Sequence, residues 1–374
     1  AIKEYKAKTL KRAMQTYRKI LEINPRHALA YEKLAELELA DGKTRAAAKT
    51  LETGVKAVAD VDRLDLMKKA ARFHVRTGNT LAAKSYLERI VKLDTKASRF
   101  KLELAKTLAD LGFLKDSLKL YEDLERRTDL IAPNSVEELQ YGRALYKRGR
   151  FGAAAKKIDC SGQRLQDVGA RRPEVEILCG AIATAQKNYE KADKHLRTAL
   201  KRKRSSEAFY YLAQNHLAQK NLAKAVSNFT EAVTLSRNDV NARLALARTL
   251  VKTGTANARR KALEHLSNII DGYESPTRSL GATPKNPTVY LERGQLYLGR
   301  GKHQKALADF DSGLELSPGN SDLRVAKAIG LYYQRRVKDA FKILTDVVKK
   351  DKTHPGAHFF MAKMLLPQNL NKKA

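Results

Sequence analysis

An all-α solenoid of antiparallel helix pairs is the fold class that this 374-residue sequence predicts, and three observations predict it. Glycines recur about every 35 residues, each at the end of an apolar-periodic segment. Small residues stand on both sides of each glycine. A large apolar residue follows four positions after the second small one.

The glycines come first. Gly42, Gly78, Gly112 and Gly149 follow one another at intervals of 36, 34 and 37, Gly254 lies 105 further on, and Gly301 completes the series after an insertion. Each ends a segment of about a dozen residues, where a helix must stop in a left-handed residue before the next helix begins. In two intervening repeats Lys187-Asn188 and Lys220-Asn221 occupy that place. There the asparagine is expected to take the left-handed conformation.

The small residues before the turn include Ala35, Ala71, Ala105, Gly142, Ala213, Ala247, Gly294 and Ala328; those after it include Ala47, Ala83, Ala154, Ala192, Ala225, Ala262, Ala306 and Ala340. They let two helices approach closely. Leu51, Leu87, Ile158, Leu196, Phe229, Leu266, Phe310 and Leu344 lie four residues on, on the same helix face, and fill the space between successive pairs.

The stretch 287–319, with Tyr290, Gly294, Tyr297, Gly301, Ala306, Phe310 and Pro318, resembles the tetratricopeptide signature of aromatic, small, aromatic, turn, Ala, aromatic and Pro. The resemblance extends over nine complete units, at about 28–61, 64–96, 98–132, 135–167, 173–205, 206–238, 240–272, 287–319 and 321–354. It implies one right-handed superhelical array over residues 1–374, whose concave wall is lined by the first helix of each unit. Ala13, Tyr17, Ile20 and Pro25 match a second helix without its partner; Ala362 and Leu365 match a lone first helix. With Ala1 rather than Met at the start, the chain reads as a piece cut within the array. Ser117 replaces the usual Ala, and residues 272–287 form a Pro- and Gly-rich loop between units.

Composition narrows the partners. The net charge is +32, which raises a positive potential and favours neutral or anionic partners. Cys160 and Cys179 stand nineteen residues apart outside any C-x-x-C motif, so buried free thiols are expected rather than a disulfide or a zinc ribbon. No stretch approaches the roughly twenty apolar residues of a membrane-spanning helix and no signal segment opens the chain. The chain therefore reads as soluble. The repeat leaves the compartment open, with the cytoplasm favoured.

No nucleophile–base set, phosphate loop or metal spacing emerges. His354 and His358 are four apart, but Pro355 interrupts them and no third ligand is evident, so capping histidines are expected. The sequence therefore predicts neither enzyme activity nor a cofactor, metal or small-molecule substrate.

Binding has candidates. The inner-face register selects Lys68, Lys69, Arg72 and Arg76 in one unit, Lys106 in the next, and Arg143 with Lys147 in the third. Such a wall suits carboxylates or phosphates. Tyr210, Tyr211, Tyr332 and Tyr333 fall on the inner face of later units, where aromatic rings anchor apolar groups. Some members of the family grip chaperone carboxylates with a fixed Lys/Asn/Arg set, which this sequence does not match in full. Separately, Lys191, Lys194, Arg197, Lys201, Arg202, Lys203 and Arg204 load one second helix and its end with charge. The expectation is a protein-interaction scaffold whose groove holds an acidic segment of a partner. Its rival is a binder of an anionic polymer, whether nucleic acid, polysaccharide or lipid head groups.

Overall fold

The computed structural model describes residues 2–94, 97–127, 131–133, 135–162, 172–274 and 286–370. Among them are twenty helices and no strand. A lone helix, α1 (Ile2–Ile23), comes first. Helix pairs follow: α2 (Ala28–Ala40) and α3 (Thr44–Ala57), α4 (Asp60–Arg76) and α5 (Thr80–Leu93), α6 (Ser98–Asp110) and α7 (Leu114–Arg127), α8 (Val136–Lys147) and α9 (Phe151–Lys157). Next come α10 (Pro173–Ala185) and α11 (Tyr189–Arg202), α12 (Ser206–Ala218) and α13 (Leu222–Leu235), α14 (Val240–Lys252) and α15 (Ala256–Glu274). The series ends with α16 (Pro287–Leu298) and α17 (His303–Leu316), α18 (Ser321–Tyr333) and α19 (Val337–Lys350), and the unpaired α20 (Pro355–Leu370).

The chain divides into two compact halves, Ala1–Gln186 and Lys187–Ala374. Within each, the two helices of a pair pack on one another and the second packs on the first helix of the next pair. Contacts that skip a helix run between first helices: α2 with α4, α6 with α8 and α8 with α10 in the N-terminal half, α16 with α18 and α18 with α20 in the C-terminal half. Within each half, first helices therefore form a row along one side.

The repeat positions explain the packing. The alanines that open the second helices, from Ala47 to Ala340, are at most 1% exposed, and Leu87, Leu196, Phe229 and Phe310 are fully buried. A Cβ on Gly294 would drive into the Phe310 ring. Close approach at that point thus demands glycine. Ser117, the exception among the alanines, is buried and donates a hydrogen bond to the carbonyl of Ala105 at 2.6 Å. Its hydroxyl is satisfied and the register survives.

The turn glycines Gly42, Gly78, Gly112, Gly149, Gly254 and Gly301 have φ between 70° and 85°. The lysine–asparagine turns differ from expectation. Lys187 and Lys220 take the left-handed conformation, each with φ 61°, and Arg335 does so with φ 68°. Asn188 and Asn221 instead cap the next helix, accepting from the amides of Lys191 and Lys224. The reason is capping geometry: an asparagine one residue past the turn satisfies a free helical amide, which a left-handed residue at that point could not do. The amide of Asn221 still closes the turn onto the carbonyl of His216 at 2.9 Å, as Asn79 does onto His74.

Two further corrections concern connections. Cys160 and Cys179 form a disulfide, with their Cα atoms 5.4 Å apart. Helix α9 spans only seven residues, and Asp159 with φ 50° turns the chain so that Cys160 lies against α10. Separation in sequence gave no measure of that approach. At the two edges of the stretch 272–287, where a loop was expected, α15 continues to Glu274 and Pro287 opens α16 at a position that needs no amide donor. Residues 275–285 lie outside the described residues.

Candidate functional site

The seven basic candidates all lie on first helices of the N-terminal half: four on α4, Lys106 on α6, and Arg143 and Lys147 on α8. Many of them link one repeat to the next. Lys69 pairs with Glu32 of α2 at 2.6 Å, and Lys147 approaches Asp110 of α6 at 3.6 Å. Lys68 is half-buried between Asp65 at 3.8 Å and Asp94 at 3.7 Å. Its ammonium and the Arg72 guanidinium lie 5.8 Å and 5.3 Å from the centre of the Phe100 ring. Arg143 is half-buried.

Arg76 and Lys106 are exposed and take part in no ion pair among the described residues. Near them the row is not uniformly basic. Glu103 of α6 keeps one carboxylate oxygen away from solvent without a hydrogen-bond partner among the described residues. Burial pushes its carboxyl above the usual carboxylate range, while Arg72 and Lys106 pull it back. Glu103 and Lys106 line a cleft of ≈ 380 Å³ with Arg99, Tyr121, Glu137 and Gln140.

The four tyrosines lie in the C-terminal half. Tyr210 packs edge-on against Phe229 and Tyr211, and its hydroxyl accepts from the Gln214 amide at 3.2 Å. Tyr332 is half-buried within an apolar cluster. Tyr333 is 46% exposed and stacks on His303. Of the four, it alone is exposed.

Sequence reasoning missed a cleft of ≈ 670 Å³ crossing three successive first helices. Its floor is Leu217, Leu244, Leu266 and Leu296; its rim is Tyr210 and Gln214 of α12, Asn241, Arg248 and Lys252 of α14, and Glu292 and Gln295 of α16. Arg248 reaches across to Glu292 at 2.6 Å. Burial raises the Glu292 carboxyl and the Arg248 bond lowers it, leaving it above its ordinary value. Gln214, Arg248 and Gln295 each stand one residue after the small position before the turn, as Arg72, Lys106 and Arg143 do, so the same register carried into the later units would have found them.

Among the described residues no group of three His, Cys, Asp or Glu could hold a metal ion. The His354 ring caps α20 by accepting from the amide of Ala357 and lies 3.3 Å from Asp322, and His358 contacts the carbonyl of Lys352. Among the described residues no helix is long and apolar enough to cross a membrane.

A tetratricopeptide repeat family model matches residues 182–240 and 244–321. The chain is 26% identical over 195 residues to a DnaJ homolog subfamily C member 7 homolog of Dictyostelium discoideum, a match covering 47% of this chain and 34% of that protein. The match therefore spans about a third of that relative's length. Among solved structures, the human IFIT1 dimer with m7Gppp-AAAA superposes with a TM-score of 0.56 at 14% identity, covering 97% of this chain and 87% of that one. The Cut9-Hcn1 hetero-tetramer of APC/C gives 0.54 at 15% identity, covering 90% of this chain and 63% of that one. At such identities the likeness is one of fold. The chain carries tetratricopeptide repeats over residues 182–240 and 244–321, and its helix pairs elsewhere follow the same plan. These repeats support a protein-interaction scaffold as its class.

Proposed function

We propose that the N-terminal half holds an acidic segment of a partner protein against its row of first helices, and that the tyrosines and the leucine-floored cleft of the C-terminal half take apolar side chains of a partner. The observation that carries this reading is the pair of exposed cations, Arg76 and Lys106, on adjacent first helices beside Arg72. A ligand carboxylate there gains charge-assisted hydrogen bonds without displacing an existing ion pair. Lys68, Lys69 and Lys147 contribute less, because each already faces an acid.

Anisotropy titration of a fluorescein-labelled peptide of alternating Glu and Leu tests this. At about 0.5–1 kcal/mol for each exposed cation, Arg72→Gln, Arg76→Gln and Lys106→Gln together cost about 2 kcal/mol, or roughly thirtyfold in Kd. Replacing Lys201, Arg202, Lys203 and Arg204 leaves binding unchanged. If that second set proves dominant while the first is silent, the reading is wrong.

A further inference from the structure

The surface that remains unexplained is the outer face of α11. At 100° per residue, Lys191, Lys194, Arg197, Lys201 and Arg202 fall within an arc of roughly 140°. All five are exposed, while Ala192, Leu196 and Ala199 on the opposite side are fully buried. Arg197 is held by Asp193 at 2.5 Å, and Arg204, beyond the helix end, pairs with Glu231. Lys191, Lys194, Lys201 and Lys203 take part in no ion pair among the described residues.

The face has no apolar anchor. No exposed large hydrophobic residue falls between 187 and 224 among the described residues. Protein partners meet at patches whose centre is apolar and aromatic and poor in lysine. Membrane-surface helices insert an apolar face beside their cations. A phosphate backbone needs neither, since its affinity comes from cations that release condensed counterions. Helix α11 has 14 residues, about 20 Å at 1.5 Å per residue. That length spans about six phosphates of one strand at ~3.4 Å each.

We infer that the outer face of α11, extended by Lys203, binds the phosphate backbone of a nucleic acid without reading its bases. Lysine suits this role because it acts as a point charge and needs no fixed geometry.

The test uses the full chain with a fluorescein-labelled 20-mer of single-stranded RNA and of DNA, titrated across salt. The variant carries Lys191→Gln, Lys194→Gln, Lys201→Gln and Lys203→Gln, four exposed positions whose replacement leaves the helical circular dichroism unchanged. Loss of four phosphate contacts lowers the slope of log K against log salt by roughly 3, so the affinity drop between ~50 and ~200 mM salt shrinks by roughly sixtyfold. RNA and DNA bind alike. The variant carrying Arg72→Gln, Arg76→Gln and Lys106→Gln keeps the original slope, which separates this site from the peptide site. An unchanged slope in the α11 variant overturns the inference, as does more than tenfold preference for either nucleic acid. So does α11-dependent binding of polyglutamate or phosphatidylserine vesicles in place of the oligonucleotides.

Discussion

The two halves share one backbone plan and differ in what they do with it. In the N-terminal half the first helices are joined by surface ion pairs, Glu32 with Lys69 and Asp110 with Lys147, and the end of α9 is joined to α10 by a disulfide. The C-terminal half has such a pair in Arg248 of α14 and Glu292 of α16, and adds a buried link within a repeat. Arg293 of α16 donates two hydrogen bonds to Asp309 of α17, at 3.0 and 2.6 Å, with side chains 16% and 6% exposed. The turns differ too. All four described helix–helix turns within pairs of the N-terminal half carry glycine, whereas Lys220 and Arg335 hold left-handed conformations in the other half. The small and large positions that seat one helix on the next are the same throughout, so stacking leaves the remaining positions free to be linked in different ways.

Breaking the buried pair produces the largest effect. Arg293→Ala strands Asp309 in a site where burial already raises its carboxyl and the arginine alone lowers it. The cost is about 3–5 kcal/mol, whereas Arg293→Met with Asp309→Leu costs much less. Hydrogen exchange in α16 and α17 measures both; equal losses in the two variants would show that packing rather than charge burial sets the cost.

The disulfide comes next. Cys160→Ala with Cys179→Ala removes a closed loop of about 20 residues and costs about 3 kcal/mol. The loss is confined to the N-terminal half. Exchange rates in α8 and α10 should rise while those in α16 and α17 stay fixed, and a uniform change would contradict the division into halves.

The turns give the smallest effects, in opposite directions. Gly78→Val and Gly301→Val each force a side chain into left-handed backbone and cost about 1–2 kcal/mol. Lys220→Gly relieves that strain, less the extra freedom glycine gains when unfolded, for a net gain of about 0.5–1 kcal/mol. Thermal melts resolve these shifts; a loss of stability in Lys220→Gly would mean the lysine side chain contributes more than its backbone costs.

The sequence by itself determined the helix pairs, their glycine turns, the buried alanines and the large residues behind them. These follow from periodicity along one chain, because a helix places residues three and four apart on one face wherever it occurs. It also located the basic first helices. Only the tertiary structure decided that Lys68, Lys69 and Lys147 face acids, that the two cysteines bond, and that amides from three helices share a cleft with Tyr210. Glu32 meets Lys69 from 37 residues away and Arg248 meets Glu292 from 44. Such meetings depend on how successive repeats are offset in space, and a difference of a few ångströms separates a cation open to a partner from one already neutralised.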